Sequence, residues 1–287
     1  MMPEVRLATR RSSLAMAQTR RVADLLQRVV PDLSVRLVEI DTAGDRDRNG
    51  PIARLTELGA FVRAVQEAVI DGRADLAVHS LKDLPVAGSG GLVLAAFPER
   101  ASPFDVMVGS SLEDLPEEAV VGTGSPRRGA QLARHRPGIR TTELRGNVDT
   151  RLRKVEAGEV DAAVLAEAGL ERLGRSEMIS QRFAVEEMVP APGQGALAVE
   201  ARPGTEAAAM AGALDDGRLR ALLSAERDLL AQTGAGCRSS LGVLARWEEG
   251  RIQLHAFVSD ERGARQTMVV GDDGDAVVAG ARKELGL

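Results

Sequence analysis

Gly122-Thr123-Gly124-Ser125-Pro126-Arg127-Arg128 closes the apolar strand Val120–Gly122 and opens a helix near 126–135. The Gly/Thr turn ends the strand, Ser125 has the side chain of an N-cap, and Pro126 suits the first helical position. A strand passing through a short turn into a helix predicts α/β layers, and the alternation continues in both directions. Upstream, strands are predicted over 5–8, 35–40, 75–78 and 92–97. A helix capped by Ser12 or Ser13 carries the stripe Leu14, Ala17, Val22, Leu25 and Val29, and another covers 60–70. Downstream, a second series begins near Phe104, with strands over 140–144 and 162–165 and helices near 148–157 and 168–173. A strand over 196–200 is placed to return to the first domain.

The tail changes character. A long helix over 218–231 precedes strands over 241–246, 251–258 and 266–270, and a final helix starts near Asp275. The predicted class is therefore α/β, around mainly parallel sheets, with a small C-terminal α+β domain. Residues 1–97 with 193–213 form a discontinuous first domain, 98–192 the second and 214–287 the third. Two α/β domains whose chain crosses over and back resemble the hinged fold of periplasmic binding proteins. That fold implies a ligand in the interdomain cleft, at the carboxyl ends of strands. Residues 41–58 lack periodicity, and so long a loop in a compact domain reads as a lid.

Composition narrows the classes of function. The 287 residues are 44% hydrophobic and 28% charged, as in a globular protein, and only one Trp, five Phe and no Tyr are present. Stacking platforms for nucleobases are scarce, and a formal charge of −5 opposes a general grip on nucleic acid or anionic membrane. No apolar run reaches the roughly 20 residues of a membrane span. The start lacks the basic-then-apolar pattern of a signal peptide, so a cytoplasmic address is expected. Cys237 is the one cysteine, no Cys/His cluster has metal-ligand spacing, and no metal is expected.

The arginines carry the functional signal. Arg10 follows the first strand, Arg127 and Arg128 occupy the turn after Ser125, and Arg145 leaves a strand in Leu144-Arg145-Gly146-Asn147-Val148-Asp149-Thr150-Arg151. Asn147 can cap there, with Arg151 one turn into the helix. Each arginine taken singly reads as a solvated surface residue. Repeated at successive strand-to-helix junctions, they read as a cleft for a small polycarboxylate or phosphate. In Ala77-Val78-His79-Ser80-Leu81-Lys82-Asp83-Leu84-Pro85, Lys82 and Asp83 have two readings, a surface ion pair or a cation for a substrate carboxylate beside a charge-stabilising acid. His79 reads more readily as packed than as catalytic. Cys237, after Gly234-Ala235-Gly236 and before Arg238, is either an inert buried thiol or a nucleophilic tether. Pro190-Ala191-Pro192-Gly193-Gln194-Gly195-Ala196 reads as a rigid hinge or cleft wall.

Together these segments resemble the porphobilinogen deaminase family over roughly residues 4 to 260. Ala8-Thr9-Arg10-Arg11-Ser12-Ser13-Leu14-Ala15 is similar to its opening motif and His79-Ser80-Leu81-Lys82-Asp83-Leu84-Pro85 to its catalytic segment. The Gly122, Leu144 and Pro190 segments follow in order, and Gly236-Cys237 takes the place of its cofactor cysteine. The resemblance implies a hydroxymethylbilane synthase, which joins four porphobilinogen molecules head to tail and then releases the linear tetrapyrrole by hydrolysis. It implies a dipyrromethane cofactor on a thioether to Cys237. Asp83 and Lys82 would be catalytic, Asp83 assisting loss of ammonia and stabilising the cations that form. Arg10, Ser12, Ser80, Lys82, Asp83, Thr123, Ser125, Arg127, Arg128, Arg145, Gly146 and Arg151 would hold the cofactor. Arg10, Ser12, Gln18, Arg145, Arg151 and Arg172 would bind substrate. A monomer with porphobilinogen as its partner, and neither nucleic acid nor membrane, is expected. The chain departs from the family at Leu58, where a lysine is common, at Arg54, at Gly124 in place of a hydroxyl residue, and at Arg238-Ser239-Ser240. Two other readings are a hinged small-anion binding or sensor protein and an inactive relative of the deaminase.

Overall fold

A computed structural model describes residues 4–41, 58–233 and 240–287, with the backbone alone for 58–60. The expected lid and Cys237 lie outside the described residues. The chain divides into two compact units, residues 1–100 with 196–220 and residues 101–195 with 221–287.

The first unit opens with β1 (Glu4–Arg10), α1 (Ser13–Val29), β2 (Ser34–Ile40), α2 (Leu58–Ile70) and β3 (Leu76–Ser80). A 3-10 turn, Leu81–Asp83, and β4 (Val93–Ala96) follow. Ser12 is the cap of α1, its Oγ accepting from the Ala15 amide at 3.3 Å. The helix buries a stripe of Gln18, Thr19, Val22, Ala23 and Leu26. The second unit begins with β5 (Asp105–Val108), β6 (Val120–Gly122), α3 (Pro126–His135), β7 (Arg140–Thr142) and α4 (Val148–Glu156). It continues through β8 (Ala162–Ala166), α5 (Glu167–Arg172) and β9 (Ile179–Arg182). The chain then re-enters the first unit as β10 (Leu197–Ala201) and α6 (Glu206–Gly212). After α7 (Gly217–Gln232), β11 (Ser240–Glu248), β12 (Arg251–Asp260), β13 (Gly263–Gly271) and α8 (Gly274–Leu285) complete the second unit.

The first sheet runs β2-β1-β3-β10-β4. β1 is parallel to β2 and β3, whereas β10 is antiparallel to β3 and β4. Both faces are covered, so its inner strands read as continuous apolar runs rather than alternating ones. One face packs Leu7, Leu76, Val78 and Val199 against Val22 and Leu26 of α1 and Ala211 of α6. The other packs Ala8, Ile40 and Ala77 against Val65, Ala68 and Val69 of α2. The second sheet, β7-β6-β8-β5-β9, repeats the plan with α3 on one face and α4 and α5 on the other. There β5 is antiparallel to both neighbours. The sheets are mixed, therefore, rather than mainly parallel. Apolar runs mark a buried strand but carry no direction, so the two reversed strands left no trace in the pattern.

The third sheet, β11-β12-β13, is wholly antiparallel. Its core of Val243, Ile252, Leu254 and Ala256 packs against Leu222, Ala225 and Leu229 of α7, and against Val277, Val278 and Leu285 of α8. Leu244 and Phe257 on the opposite face meet Val185 and Val189. The turn at Gly195 permits no other residue. Its φ is +84°, and a Cβ there would run into the carbonyl oxygens of Ala101 and Ser102.

Candidate functional site

In the first unit, the parallel register Leu7↔Leu76 and Ala8↔Ala77 brings the carboxyl ends of β1 and β3 to the same edge of the sheet. Arg10 ends β1 there, half-buried, with its guanidinium carbon 4.2 Å from the centre of the Phe61 ring. Ser12 starts α1 on that edge. Gln18, one turn and a half into the helix, donates from Nε2 to Ser80 Oγ at 2.7 Å. Ser80 is the extended residue that ends β3, and Leu81 anchors the following turn through its amide to the Ala196 carbonyl at 3.0 Å. Leu81 and Leu84 are buried while Lys82 and Asp83 between them are only half-buried. The apolar pair pins the turn and leaves both charged ends access to solvent. The structure thus gathers Arg10, Ser12, Gln18, Ser80, Lys82 and Asp83 within one unit, at the end of a sheet where α/β folds accept ligands.

His79 points the other way. It is 6% exposed, and its Nε2 faces Glu200 Oε2 at 3.0 Å, off the ideal line for a hydrogen bond. Glu200 also accepts from Gln66 Nε2 at 2.8 Å. Burial pushes the Glu200 carboxyl upward, but its contacts with His79, Gln66 and Ser89 outweigh that and hold it below the usual range.

In the second unit, β6 is parallel to β7 and β8, so the turns after these strands share an edge. The Thr123 amide bonds the Thr142 carbonyl at 2.8 Å, and Thr123 Oγ1 accepts from the Ser125 amide at 3.2 Å. Ser125 then caps α3 by accepting from the Arg128 amide, and Asn147 caps α4 by accepting from the Thr150 amide at 2.9 Å. Arg145 and Gly146 are exposed between β7 and α4. Arg145 reaches Glu143 at 2.9 Å, and Arg151 bonds the Gly146 carbonyl at 2.9 Å. Gly146 has φ +111°, and a Cβ would strike the Thr150 side chain. Arg172 Nη2 donates to the Gly195 carbonyl at 2.7 Å.

Arg127 and Arg128 differ from the other arginines. Both are buried, and both are committed to Asp105, which is fully buried at the head of β5. Arg127 Nη1 reaches Asp105 Oδ2 and the Val189 carbonyl, each at 2.7 Å. Arg128 binds Asp105 Oδ1 through Nη2 at 2.7 Å and Nε at 3.0 Å, and Gln194 Nε2 adds a contact at 2.9 Å. Sequence alone cast the two guanidinium groups as open donors on a helix start. The structure instead turns them inward, where one carboxylate balances half of their charge. Burial pushes Asp105 up, yet the charges of Arg127 and Arg128 and the hydrogen bonds prevail and hold it far below the carboxylate range. Burial and the neighbouring Arg128 charge lower Arg127, against the pull of Asp105.

Removing the Asp105 charge leaves two guanidinium groups buried without their counter-ion. Asp105→Asn is expected to cost about 3 kcal/mol of stability in urea unfolding at neutral pH. Because the folded carboxyl is depressed, its stabilisation is complete above the unfolded value and fades as pH falls toward the lower folded one. The gap between wild type and variant should therefore narrow on acidification, and a gap that is absent or independent of pH would count against the triad.

Sequence reading missed three buried acids. Asp105 heads an apolar run, and Glu200 sits within β10, whose residues are all buried. Glu226, fully buried on α7, accepts from the amides of Gly193 at 2.7 Å and Ala245 at 2.9 Å. A lone acid inside an apolar run was the available signal in the first two. Among the described residues, no cluster of His, Cys, Asp and Glu could hold a metal, and no helix is long and apolar enough to cross a membrane.

Residues 5–210 match the family model described as porphobilinogen deaminase, dipyromethane cofactor binding domain. Porphobilinogen deaminase 1 of Streptomyces coelicolor is 51% identical over 249 residues, 84% of this chain and 77% of its own. The porphobilinogen deaminase of Thermobifida fusca is 46% identical, covering 96% of this chain and 88% of its own. Among solved structures, an ABC transporter from Parabacteroides distasonis gives a TM-score of 0.45 at 17% identity, over 82% of this chain and 76% of that one.

Proposed function

The chain belongs to the porphobilinogen deaminase family, and from that premise we propose how its residues divide the work of a hydroxymethylbilane synthase. The activity is a transferase reaction of tetrapyrrole biosynthesis, in which four porphobilinogen molecules are joined head to tail and the linear tetrapyrrole is released by water. The cofactor is a dipyrromethane. When bound, it supplies the covalent primer that keeps the growing chain attached until four units are added.

The donor set fits such a group. Each pyrrole carries two carboxylates, so a chain of them needs forked cations and helix-start amides in number. The second unit offers capped helix starts at Ser125 and Asn147, with Arg145 and Arg151 beside the latter. We assign Arg10, Ser12, Ser80, Lys82, Asp83, Thr123, Ser125, Arg127, Arg128, Arg145, Gly146 and Arg151 to the cofactor, and Cys237 to its tether. Arg10, Ser12, Gln18, Arg145, Arg151 and Arg172 serve the acetate and propionate arms of the substrate. With Asp105 holding them, Arg127 and Arg128 act as a fixed positive field rather than as mobile donors.

Lys82 pairs with a substrate carboxylate and so orients the ring. Asp83, next in the chain and half-buried, presents its negative charge where positive charge develops as ammonia leaves porphobilinogen. The observation that carries this assignment is the meeting of Arg10, Ser12, the Gln18–Ser80 bond and Lys82-Asp83 at one sheet edge. A formal charge of −5 and the scarcity of aromatic rings weigh against a general grip on nucleic acid or anionic membrane, and we propose a cytoplasmic monomer that handles a small anionic substrate.

Incubation of purified protein with porphobilinogen, followed by acid oxidation and an absorbance reading for uroporphyrin, tests the reading. Porphyrin formed in proportion to time and enzyme is expected. None from folded, cofactor-loaded protein would point to an inactive relative.

A further inference from the structure

We propose that Glu200 is a positioning residue for the Lys82-Asp83 turn, tethering the chain on both sides of it. The turn lies between His79, which precedes it by three residues, and Ser89, which follows Asp83 by six. His79 Nε2 lies 3.0 Å from Glu200 Oε2, and Ser89 Oγ lies 3.5 Å from Oε1. Gln66 on α2 donates to the same Oε2 at 2.8 Å. One carboxylate on β10 therefore gathers the strand before the turn, the loop after it and the helix packed above.

Position in the sheet explains the convergence. β10 is antiparallel to β3, with Glu200 opposite Ala77 and Ala198 opposite His79. Alternate residues of a strand share a face, so His79 and Glu200 point to the side covered by α2. Ala77 on that face packs with Val65, Ala68 and Val69 of the helix. A charged residue in this apolar layer carries a large desolvation cost, and Glu200 is 4% exposed. Its contacts offset that cost, and its carboxyl stays ionised because they hold it below the ordinary range. Outside the strands, main-chain bonds hold the segment from Leu81 to Ala196, Leu84 to Leu81 and Leu92 to Ser89. The Glu200 tethers add to these in fixing where Lys82 and Asp83 stand.

The inference rests on reading Lys82-Asp83 as the reacting pair, and the test separates the two. Glu200→Gln, Ser89→Ala and Asp83→Asn are compared with wild type as cofactor-loaded enzymes, by amide hydrogen exchange and by steady-state kinetics. In Glu200→Gln, exchange of the 81–92 amides should rise at least about 10-fold while the β1 amides keep their wild-type rates. Its kcat should fall by about 10- to 100-fold with KM changed by less than about 3-fold, since slight misplacement of a reacting group is costly. Ser89→Ala should show the same pattern at smaller amplitude, and it carries the test if Glu200→Gln does not fold. Unchanged exchange over 81–92 in the folded variants overturns the proposal, as does a rise in KM alone. Near-normal kcat in Asp83→Asn would overturn the assignment of the pair, while the exchange result would still decide the tether.

Discussion

Asp83→Asn should keep the shape, size and cofactor load of the protein while lowering kcat by on the order of 10²–10⁴-fold. The substitution is nearly isosteric, and Asp83 lies half-buried in a turn held by Leu81 and Leu84, so little packing is disturbed. What is lost is a full negative charge. An amide dipole cannot match it against the positive charge that grows as ammonia departs. KM should change much less, because Arg10, Ser12 and Lys82, the proposed ligands of the carboxylate arms, remain in place. Circular dichroism and initial rates of porphyrin formation check both halves. A variant that turns over at near the wild-type rate would remove Asp83 from the chemistry.

The second large effect concerns the tether. Cys237→Ser should give a folded chain that forms no measurable porphyrin and melts below wild type. A thiol ionises several pH units below an alcohol, so serine offers no comparable nucleophile for the bond that fixes the primer. The lower melting point follows because the carboxylates of the tethered group meet their cations only in the folded protein, and loss of the group removes those contacts. As Cys237 is the one cysteine of the chain, no other thiol can substitute. Normal turnover would refute the assignment.

Much of the scaffold was legible because local signals agreed with the global fold. Ser12 and Ser125 cap the helices their neighbours announce, and Asn147 caps the third. The strand expected over 196–200 does return to the first sheet, as β10. Other elements lacked a readable signal. β9, Ile179–Arg182, is a short edge strand of polar character, and α6 is a run of alanines with almost no apolar stripe. β5 is short, an acid at the head of three apolar residues, too brief a run to mark a strand, and the arginines that neutralise Asp105 are distant in the chain.

The site shows the same division. Residues at strand ends, such as Arg10, Lys82, Asp83 and Arg145, were legible from the strand-to-helix junctions. The buried acids Asp105 and Glu200 and the partners they meet were not. Asp105 lies about 20 residues from Arg127 and Arg128, and Glu200 is more than a hundred residues from both His79 and Gln66. Such pairings come from sheet register and helix packing, which spacing along the chain does not encode.

Cys237 is proposed to hold a two-ring primer for a chain of carboxylated pyrroles. Intact mass of untreated protein, made in cells that supply porphobilinogen, decides this when joined to mapping of the peptide that contains Cys237. The expected mass exceeds that of the sequence by one dipyrromethane, carried entirely on that peptide. The bare sequence mass, or the same adduct on another residue, would contradict it.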